Sequence, residues 1–113
     1  ATFLEEIAAS EGVTITTKKL ARFEPVEFDE RVISIIERIS IDLGNTTQRM
    51  PSGAGHDAQM LARVCPTAMI FVPSINGISH NPAEDTDVED LVAGANILLQ
   101  TMLNLCVSDF AKV

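Results

Sequence analysis

The sequence predicts an α/β fold with a partial parallel sheet. From residue 29 onward, helical and strand-like patterns alternate in the order helix, strand, helix, strand, helix, which is typical of parallel α/β domains. The run 68–72 is wholly apolar, as expected of a strand that is buried on both faces. The stretch 88–103 carries apolar residues at helical spacing over several turns. We therefore expect helices packed on a short parallel sheet.

The start of the chain follows a different pattern. Residues 2–10 carry apolar positions at helical spacing, and Gly12 follows as a typical helix stop. Residues 13–23 begin with an alternation of apolar residues and threonines, which favours a strand. We therefore divide the chain into two predicted units, residues 1–28 and residues 29–113.

The second unit opens with a helix and a strand. Asp29 is suited to cap a helix that runs to about Leu43, and Gly44 is suited to end it. A short strand is expected at 46–50. The turn-forming residues at 51–55 then predict a loop.

A further helix and strand follow this loop. Residues 56–64 are expected to be helical, with Met60, Leu61 and Val64 facing inward. The segment 67–72, which contains the apolar run, is the predicted buried strand.

The clearest helix follows the polar loop 74–85. Thr86 and Glu89 have the spacing of a capping box at its start. Its apolar residues form a stripe that we expect to be part of the core: Val88, Leu91, Val92, Ala95, Leu98, Leu99, Met102 and Leu103.

Composition and charge exclude several classes of function. Sixteen acidic residues against eight basic ones give a net charge of −8, which argues against a nucleic-acid-binding surface. No stretch reaches the roughly 18 uninterrupted apolar residues of a membrane span, so no membrane partner is expected. Cys65 and Cys106 lie in apolar stretches without the spacing of a disulfide framework. We interpret them as buried free thiols of a cytoplasmic protein.

The first predicted loop is suited to bind an anion. Gly53 and Gly55, on either side of Ala54, allow backbone N–H groups to approach a ligand. The helix expected from His56 would add further unpaired N–H groups. A substrate carboxylate fits such a place. The alternative is a structural glycine turn capped by Asp57, and spacing alone favours that alternative.

His80 in the second loop is a candidate metal ligand. A neutral imidazole is a common ligand for metal ions, and Glu84 is placed to orient it from outside the coordination sphere. From the residues alone, the alternative that His80 and Glu84 are solvated loop residues with no role in metal binding remains open. Because both loops follow predicted parallel strands, we expect them to converge on one crevice if those strands are neighbours.

Three segments together resemble the hydantoinase/carbamoylase branch of the di-zinc aminopeptidase and carboxypeptidase superfamily. They are Met50-Pro51-Ser52-Gly53-Ala54-Gly55-His56-Asp57-Ala58, Met69-Ile70-Phe71-Val72-Pro73-Ser74 and Gly77-Ile78-Ser79-His80-Asn81-Pro82-Ala83-Glu84. That branch includes N-carbamoyl-L-amino acid hydrolases, allantoate amidohydrolases and β-ureidopropionases. The resemblance implies that residues 1–28 end a lid and dimerisation domain, and that residues 29–113 are the C-terminal segment of the catalytic domain.

The same resemblance implies roles for individual residues. His80 falls on the last metal ligand of the family, and Gly55 and His56 fall on its substrate-binding loop, where His56 would take part in catalysis. The alternative for His56 is that it only caps the first turn of the helix that follows. The parent enzyme would use two divalent ions, zinc or manganese, to hydrolyse a linear C–N amide bond in an N-carbamoyl amino acid or ureido acid. It would be a homo-oligomer.

The chain departs from the family pattern because the other metal ligands and the general base are missing. We therefore expect the isolated chain to be inactive and to hold no metal. A non-catalytic module, produced by truncation or by a split gene and completed by a partner chain, is the alternative.

Overall fold

The computed structural model describes residues 2–20 and 22–107, and this part of the chain is helical with irregular connections. Its elements are α1 (Thr2–Glu11), α2 (Glu30–Asp42), α3 (Ala58–Leu61), a 3-10 turn (Ile75–Gly77) and α4 (Val88–Val107). Residue 21 of the predicted strand 13–23 and residues 108–113 of the second predicted unit lie outside the described residues.

Helix α2 begins and ends as its sequence predicts. The carboxylate of Asp29 accepts hydrogen bonds from the backbone N–H groups of Arg31 at 2.9 Å and Val32 at 3.2 Å. The Arg31 side chain also donates to Asp29, and this hydrogen bond is the main reason that the pKa of Asp29 is lowered. At the other end, Gly44 has a φ of 81°, a left-handed conformation that glycine adopts without steric cost.

Helix α4 packs against α2. The side chains buried on the two helices are Val32, Ile39 and Ser40 on α2 and Ile97 and Thr101 on α4. By length and composition alone α4 could cross a membrane. Its packing against α2 is that of a core helix in a folded domain. The helix starts at Val88, and no capping-box hydrogen bond joins Thr86 to Glu89 among the described residues.

The apolar stripe on α4 is not part of the core of the described structure, contrary to the sequence-based expectation. Val92, Leu99 and Met102 are each about half exposed, and at about 100° per residue they lie on the side of α4 that faces away from Ile97. Helix α4 is therefore apolar on two opposite faces, one packed against α2 and one open. A helix that is apolar all round is normally buried on all sides.

The predicted partial parallel sheet does not form in the described part of the chain. Residues 13–20, 22–23, 46–50 and 67–72 are not part of any β-ladder. The physical reason is that a strand exists only through hydrogen bonds to a neighbouring strand, and these segments do not pair with one another. Segment 67–72 is nevertheless held in place, because Asp29 N–H donates to the Thr67 carbonyl at 3.0 Å.

A close approach also fixes this segment against α4. A Cβ atom at Gly94 would lie only 2.6 Å from Cγ1 of Val72, so the absence of a side chain at Gly94 allows the contact. Segment 67–72 thus contacts α4, but the expected burial on both faces is wrong for the described structure, because its residues are only half-buried and Phe71 is exposed.

The described structure leaves more surface uncovered than a complete domain of its size would. Its accessible surface is 9250 Å², whereas a compact 12.2 kDa monomer exposes about 6,100 Å². Its radius of gyration is 20.0 Å, against about 13 Å for a compact chain of this length. Cys65 and Cys106, which were expected to be buried, are exposed as well. The excess fits a part of a larger fold.

Candidate functional site

The two predicted loops meet at one open cavity of about 460 Å³. Its lining comes from the end of segment 46–50, the glycine loop, segment 67–72 and the second loop: Met50, Pro51, Ser52, Gly53, Ala54, Phe71, Ser79 and His80. The predicted convergence of the two loops on one crevice is therefore confirmed. Met50 and Phe71 give the cavity an apolar wall, and the Ser52 and His80 side chains supply polar groups.

Arg49 ties the start of the glycine loop to α2. Its guanidinium reaches Glu30 at 2.7 Å, Glu37 at 2.8 Å and the Ser34 hydroxyl at 3.4 Å. The hydrogen bond from Arg49 is the main cause of the lowered pKa of Glu30, and the bonds to Glu37 and Glu30 raise the pKa of Arg49. We call Arg49, Glu30, Ser34 and Glu37 the arginine clamp.

The glycine loop leaves its backbone open to a ligand. A Cβ atom at Gly53 or Gly55 would meet nothing within 4 Å, and neither residue has a positive φ. The turn conformation therefore does not require glycine at these positions, and what the glycines provide is access to the backbone. Inside the loop, the Ser52 hydroxyl accepts a hydrogen bond from the Ala54 N–H at 3.3 Å.

His56 caps α3, the role that spacing alone had favoured for Asp57. Nδ1 of His56 accepts a hydrogen bond from the Ala58 N–H at 3.1 Å, while Asp57 makes no side-chain cap. A nitrogen that accepts carries no proton, so the neutral ring keeps its proton on Nε2. His56 and Gly55 do not line the cavity itself.

The helix that follows is shorter than the sequence predicts. Helix α3 covers only Ala58–Leu61, and the side chains expected to face inward, Met60, Leu61 and Val64, are exposed. A single turn has little helix dipole, so anion binding at this point depends on the loop N–H groups and not on the helix.

His80 has a backbone conformation that is uncommon for a residue with a side chain. Its φ is 55°, in the left-handed region. Its N–H donates to Oε2 of Glu84 at 2.7 Å. The turn between them is closed by the Glu84 N–H, which donates to the Asn81 carbonyl at 2.9 Å. The loop is closed at its base as well, because the Ile75 N–H donates to the Asp85 carbonyl at 2.8 Å.

The described residues do not form a metal site by themselves. No group of three or more His, Cys, Asp or Glu side chains comes together within residues 2–20 and 22–107. His80 is exposed at the edge of the cavity, and Glu84 contacts its backbone and not its imidazole. His80 is thus a candidate ligand that is not part of a formed metal site in the described residues.

Sequence reasoning did not identify the arginine clamp or the cavity wall at Phe71. The clamp had a signal, because Glu30, Ser34 and Glu37 fall on one face of α2 at helical spacing. The link from that face to Arg49 depends on tertiary structure. Phe71 was expected only as a buried strand residue, and it is about half exposed beside the glycine loop.

Comparisons with known proteins cover most of the chain. A profile of Peptidase family M20/M25/M40 matches residues 4–104. The chain is 43% identical over 101 residues to an N-carbamoyl-L-amino acid amidohydrolase of Geobacillus stearothermophilus, across 89% of this chain and 25% of that protein. It is 44% identical over 82 residues to an allantoate amidohydrolase of Escherichia coli strain K12, across 73% of this chain and 20% of that protein.

The structure also resembles a solved relative. A crystal structure of an amidase of the hydantoinase/carbamoylase family from Burkholderia vietnamiensis matches with a TM-score of 0.82 and 39% identity, over 91% of this chain and 25% of that one. The resemblance to the hydantoinase/carbamoylase branch is thus confirmed. The chain spans about a quarter of the length of these relatives.

Proposed function

The chain belongs to Peptidase family M20/M25/M40, and we propose that it is part of a metal-dependent amidohydrolase. The whole enzyme would cleave the linear C–N amide bond of an N-carbamoyl amino acid or a ureido acid. This proposal rests on the relatives, which are named as N-carbamoyl-L-amino acid and allantoate amidohydrolases. Since the chain spans about a quarter of their length, it contributes one part of the active site.

The observation that carries the proposal is the conformation of His80. The residue is held at a φ of 55° by the bond from its N–H to Glu84, and it faces the glycine loop across the cavity. A left-handed conformation in a residue other than glycine costs on the order of 1 kcal/mol, and such residues cluster at functional sites. We assign His80 as one metal ligand and Glu84 as the residue that fixes its place.

We propose that the remaining ligands and the general base come from outside the described residues, in which no group of three or more His, Cys, Asp or Glu side chains comes together. The family is metal-dependent, and we propose two divalent ions, zinc or manganese, in the whole enzyme. When bound, such ions activate a water and polarise a carbonyl. The residues of this chain position the ligand and the substrate.

The substrate-binding part of the proposal concerns Gly53, Ala54, Gly55 and His56. The open backbone of the loop offers N–H groups to a substrate carboxylate or to a developing oxyanion. His56 keeps its proton on Nε2 because Nδ1 accepts from Ala58, so this ring nitrogen is available as a further donor. We propose His56 as the catalytic residue of this segment.

We propose that the irregular segments complete a parallel sheet in the whole protein. Segment 67–72 is already packed against α4 at Gly94, and strands 46–50 and 67–72 would pair with strands from other parts of the catalytic domain. Among the described helices, α1 contacts neither α2 nor α4. This separation supports residues 1–28 as the end of a lid domain and residues 29–113 as part of the catalytic domain. We propose that the whole enzyme is cytoplasmic.

A segment exchange tests the proposed function. The matching quarter of the Geobacillus stearothermophilus amidohydrolase is replaced by this chain, and turnover of N-carbamoyl-L-amino acids is measured with zinc or manganese. We expect an active chimera and no turnover by the isolated chain. Repurified isolated chain that turns over substrate above the blank would overturn the second expectation. A chimera that folds and binds metal but is inactive would overturn the expectation that the chimera is active.

The second candidate, a non-catalytic module completed by a partner chain, is favoured by the uncovered apolar face of α4. Mixing the isolated chain with the remaining three quarters of the Geobacillus protein distinguishes the two. Restored turnover shows that the segment can be supplied as a separate chain to an enzyme. A stable complex without turnover supports the non-catalytic module.

A further inference from the structure

We propose that Arg49 is a positioning residue, which holds the substrate-binding glycine loop in place through the arginine clamp. This inference rests on the proposed function, because it assigns the loop to substrate binding. It adds a residue outside the family motif segments, on an exposed surface away from the cavity, whose effect on the reaction is exerted through the loop.

The position of Arg49 in the chain makes the clamp effective. The next residue, Met50, is the first that lines the cavity, and Ser52, Gly53 and Ala54 follow at once. Arg49 thus fixes the backbone immediately before the loop. Within residues 52–55 of the described structure, the side-chain hydrogen bond that restrains the loop is the 3.3 Å bond from the Ala54 N–H to the Ser52 hydroxyl. The clamp is therefore the main connection between the entry to the loop and a stable element.

The other side of the clamp is rigid. Glu30, Ser34 and Glu37 lie on one face of α2, spaced by about one helical turn each. Helix α2 is capped by Asp29 and packed against α4. The Ser34 hydroxyl also donates to Glu30 at 3.1 Å, so the carboxylate that receives Arg49 is itself oriented. The guanidinium bonds two carboxylates more than one turn apart, which a planar fork with several donors can do.

Arginine is required for this geometry. A lysine at position 49 would keep the charge but would present it as a compact ammonium on a flexible stem. It cannot hold Glu30 and Glu37 together in the way the guanidinium does. Because Arg49 and Glu30 are exposed and Glu37 is about one-third exposed, salt weakens the clamp. The loop position, and with it substrate affinity, is expected to depend on ionic strength.

The test uses the active chimera described above with the variants Arg49→Met, Arg49→Lys and Arg38→Met. Arg38 is exposed on the same helix α2, so its variant is the control for an equal loss of charge. We expect Arg49→Met to lower kcat/KM by about tenfold, mainly through KM, because a loop displaced by a fraction of an ångström loses binding contacts. Arg49→Lys should recover part of this loss, and Arg38→Met should behave like the parent chimera.

Two further measurements separate positioning from simple stabilisation. KM of the parent chimera should rise with salt, and that rise should be reduced in Arg49→Met. The double variant Glu30→Gln and Glu37→Gln, which removes the charges on α2, should reproduce the effect if Arg49→Met does not fold. The inference is overturned if KM and its salt dependence are the same in Arg49→Met and Arg38→Met, even if Arg49→Met melts earlier. Failure of the proposed function appears differently, as an inactive parent chimera.

Discussion

The backbone N–H of His80 donates to the carboxylate of Glu84 at 2.7 Å, four residues further along the same loop. Glu84 therefore acts on the position of the histidine backbone and leaves the imidazole free. A residue that supports a metal ligand from outside the coordination sphere usually does so through the ring. Here the support fixes the left-handed turn that aims the side chain at the cavity.

Loss of this support should weaken metal binding in the chimera. We expect Glu84→Ala to lower the affinity for zinc by about 10- to 100-fold, the range found for other outer-shell partners. Glu84→Gln keeps an acceptor oxygen for the His80 N–H and should lose much less. Metal content after dialysis against a graded chelator gives the comparison. Equal losses of metal affinity in Glu84→Ala and Glu84→Gln would show that metal binding depends on the negative charge of Glu84 and not on its hydrogen bond to the His80 N–H.

The ligand itself is tested by His80→Asn. Asparagine tolerates the left-handed conformation, so the loop should keep its shape while the imidazole is removed. We expect the chimera to lose one metal ion or to bind it much more weakly, with little change in melting temperature. Unchanged metal content would return His80 to the alternative of a solvated loop histidine.

The outer face of α4 should cause the isolated chain to associate with itself. Leu99 and Met102 are each about half exposed on this face, and exposed apolar patches of this kind favour association. Light scattering of the isolated chain should show dimers or larger species. Replacing Leu99 and Met102 by Gln should reduce association, whereas Leu20→Gln, an exposed residue outside the helices, should not. A monomeric chain at high concentration would contradict the prediction.

Gly94 should resist replacement by alanine. In an exposed helix interior, Gly→Ala stabilises by about 1 kcal/mol. At position 94 the new Cβ would lie 2.6 Å from Cγ1 of Val72, and a valine side chain has little rotamer freedom to move away. We therefore expect Gly94→Ala to lower the melting temperature of the chimera. Adding Val72→Ala to Gly94→Ala should restore part of the loss, since it removes the atom that is in the way.

The arginine clamp should open in acid. The folded-state pKa of Glu30 is lowered below its ordinary value of 4.5, first by the hydrogen bond from Arg49. A carboxyl with a lowered pKa contributes stability above its unfolded pKa and loses that contribution as the pH falls through the folded pKa. The difference in melting temperature between the chimera and its Arg49→Met variant should therefore be constant above about pH 5 and should shrink below it. A difference that is constant down to pH 3 would contradict this.

The local features of the fold could be predicted from the sequence, and the strands could not. The cap at Asp29 and the stop at Gly44 depend on residues a few positions apart, so they appear as expected. Segment 67–72 has the composition of a buried strand, but a strand also needs a partner, which the described residues do not supply. The same applies to α4, whose apolar stripe was expected in a core that this part of the chain only half provides.

The candidate site was predictable as a place but not in its details. The loops at Gly53 and His80 line one cavity, as expected, although the parallel strands that were expected to bring them together do not form in the described residues. That His56 and not Asp57 caps α3, and that Glu84 binds a backbone group, depend on side-chain rotamers. The arginine clamp joins residues up to 19 positions apart, and the spacing of residues within one helix cannot predict such a contact.

The two roles of His56 can be separated by a single pair of variants. Nδ1 caps α3 by accepting from the Ala58 N–H, and Nε2 carries the proton that we propose for the substrate. In asparagine, the side-chain oxygen can take the place of Nδ1, but no atom reaches the place of Nε2. His56→Asn should therefore keep the cap and lose the donor, whereas His56→Ala loses both.

The expected results in the chimera follow from this difference. Both variants should lower kcat and kcat/KM together by about 10²-fold, the loss typical of removing one oxyanion donor. Only His56→Ala should also lower the free energy of unfolding, by about 1 kcal/mol for the missing cap. Metal content should be unchanged in both, because His80 and not His56 is the proposed ligand. If His56→Asn turns over normally while His56→Ala melts earlier, His56 is only a cap, and the oxyanion donor must be sought among the backbone N–H groups between Gly53 and Gly55.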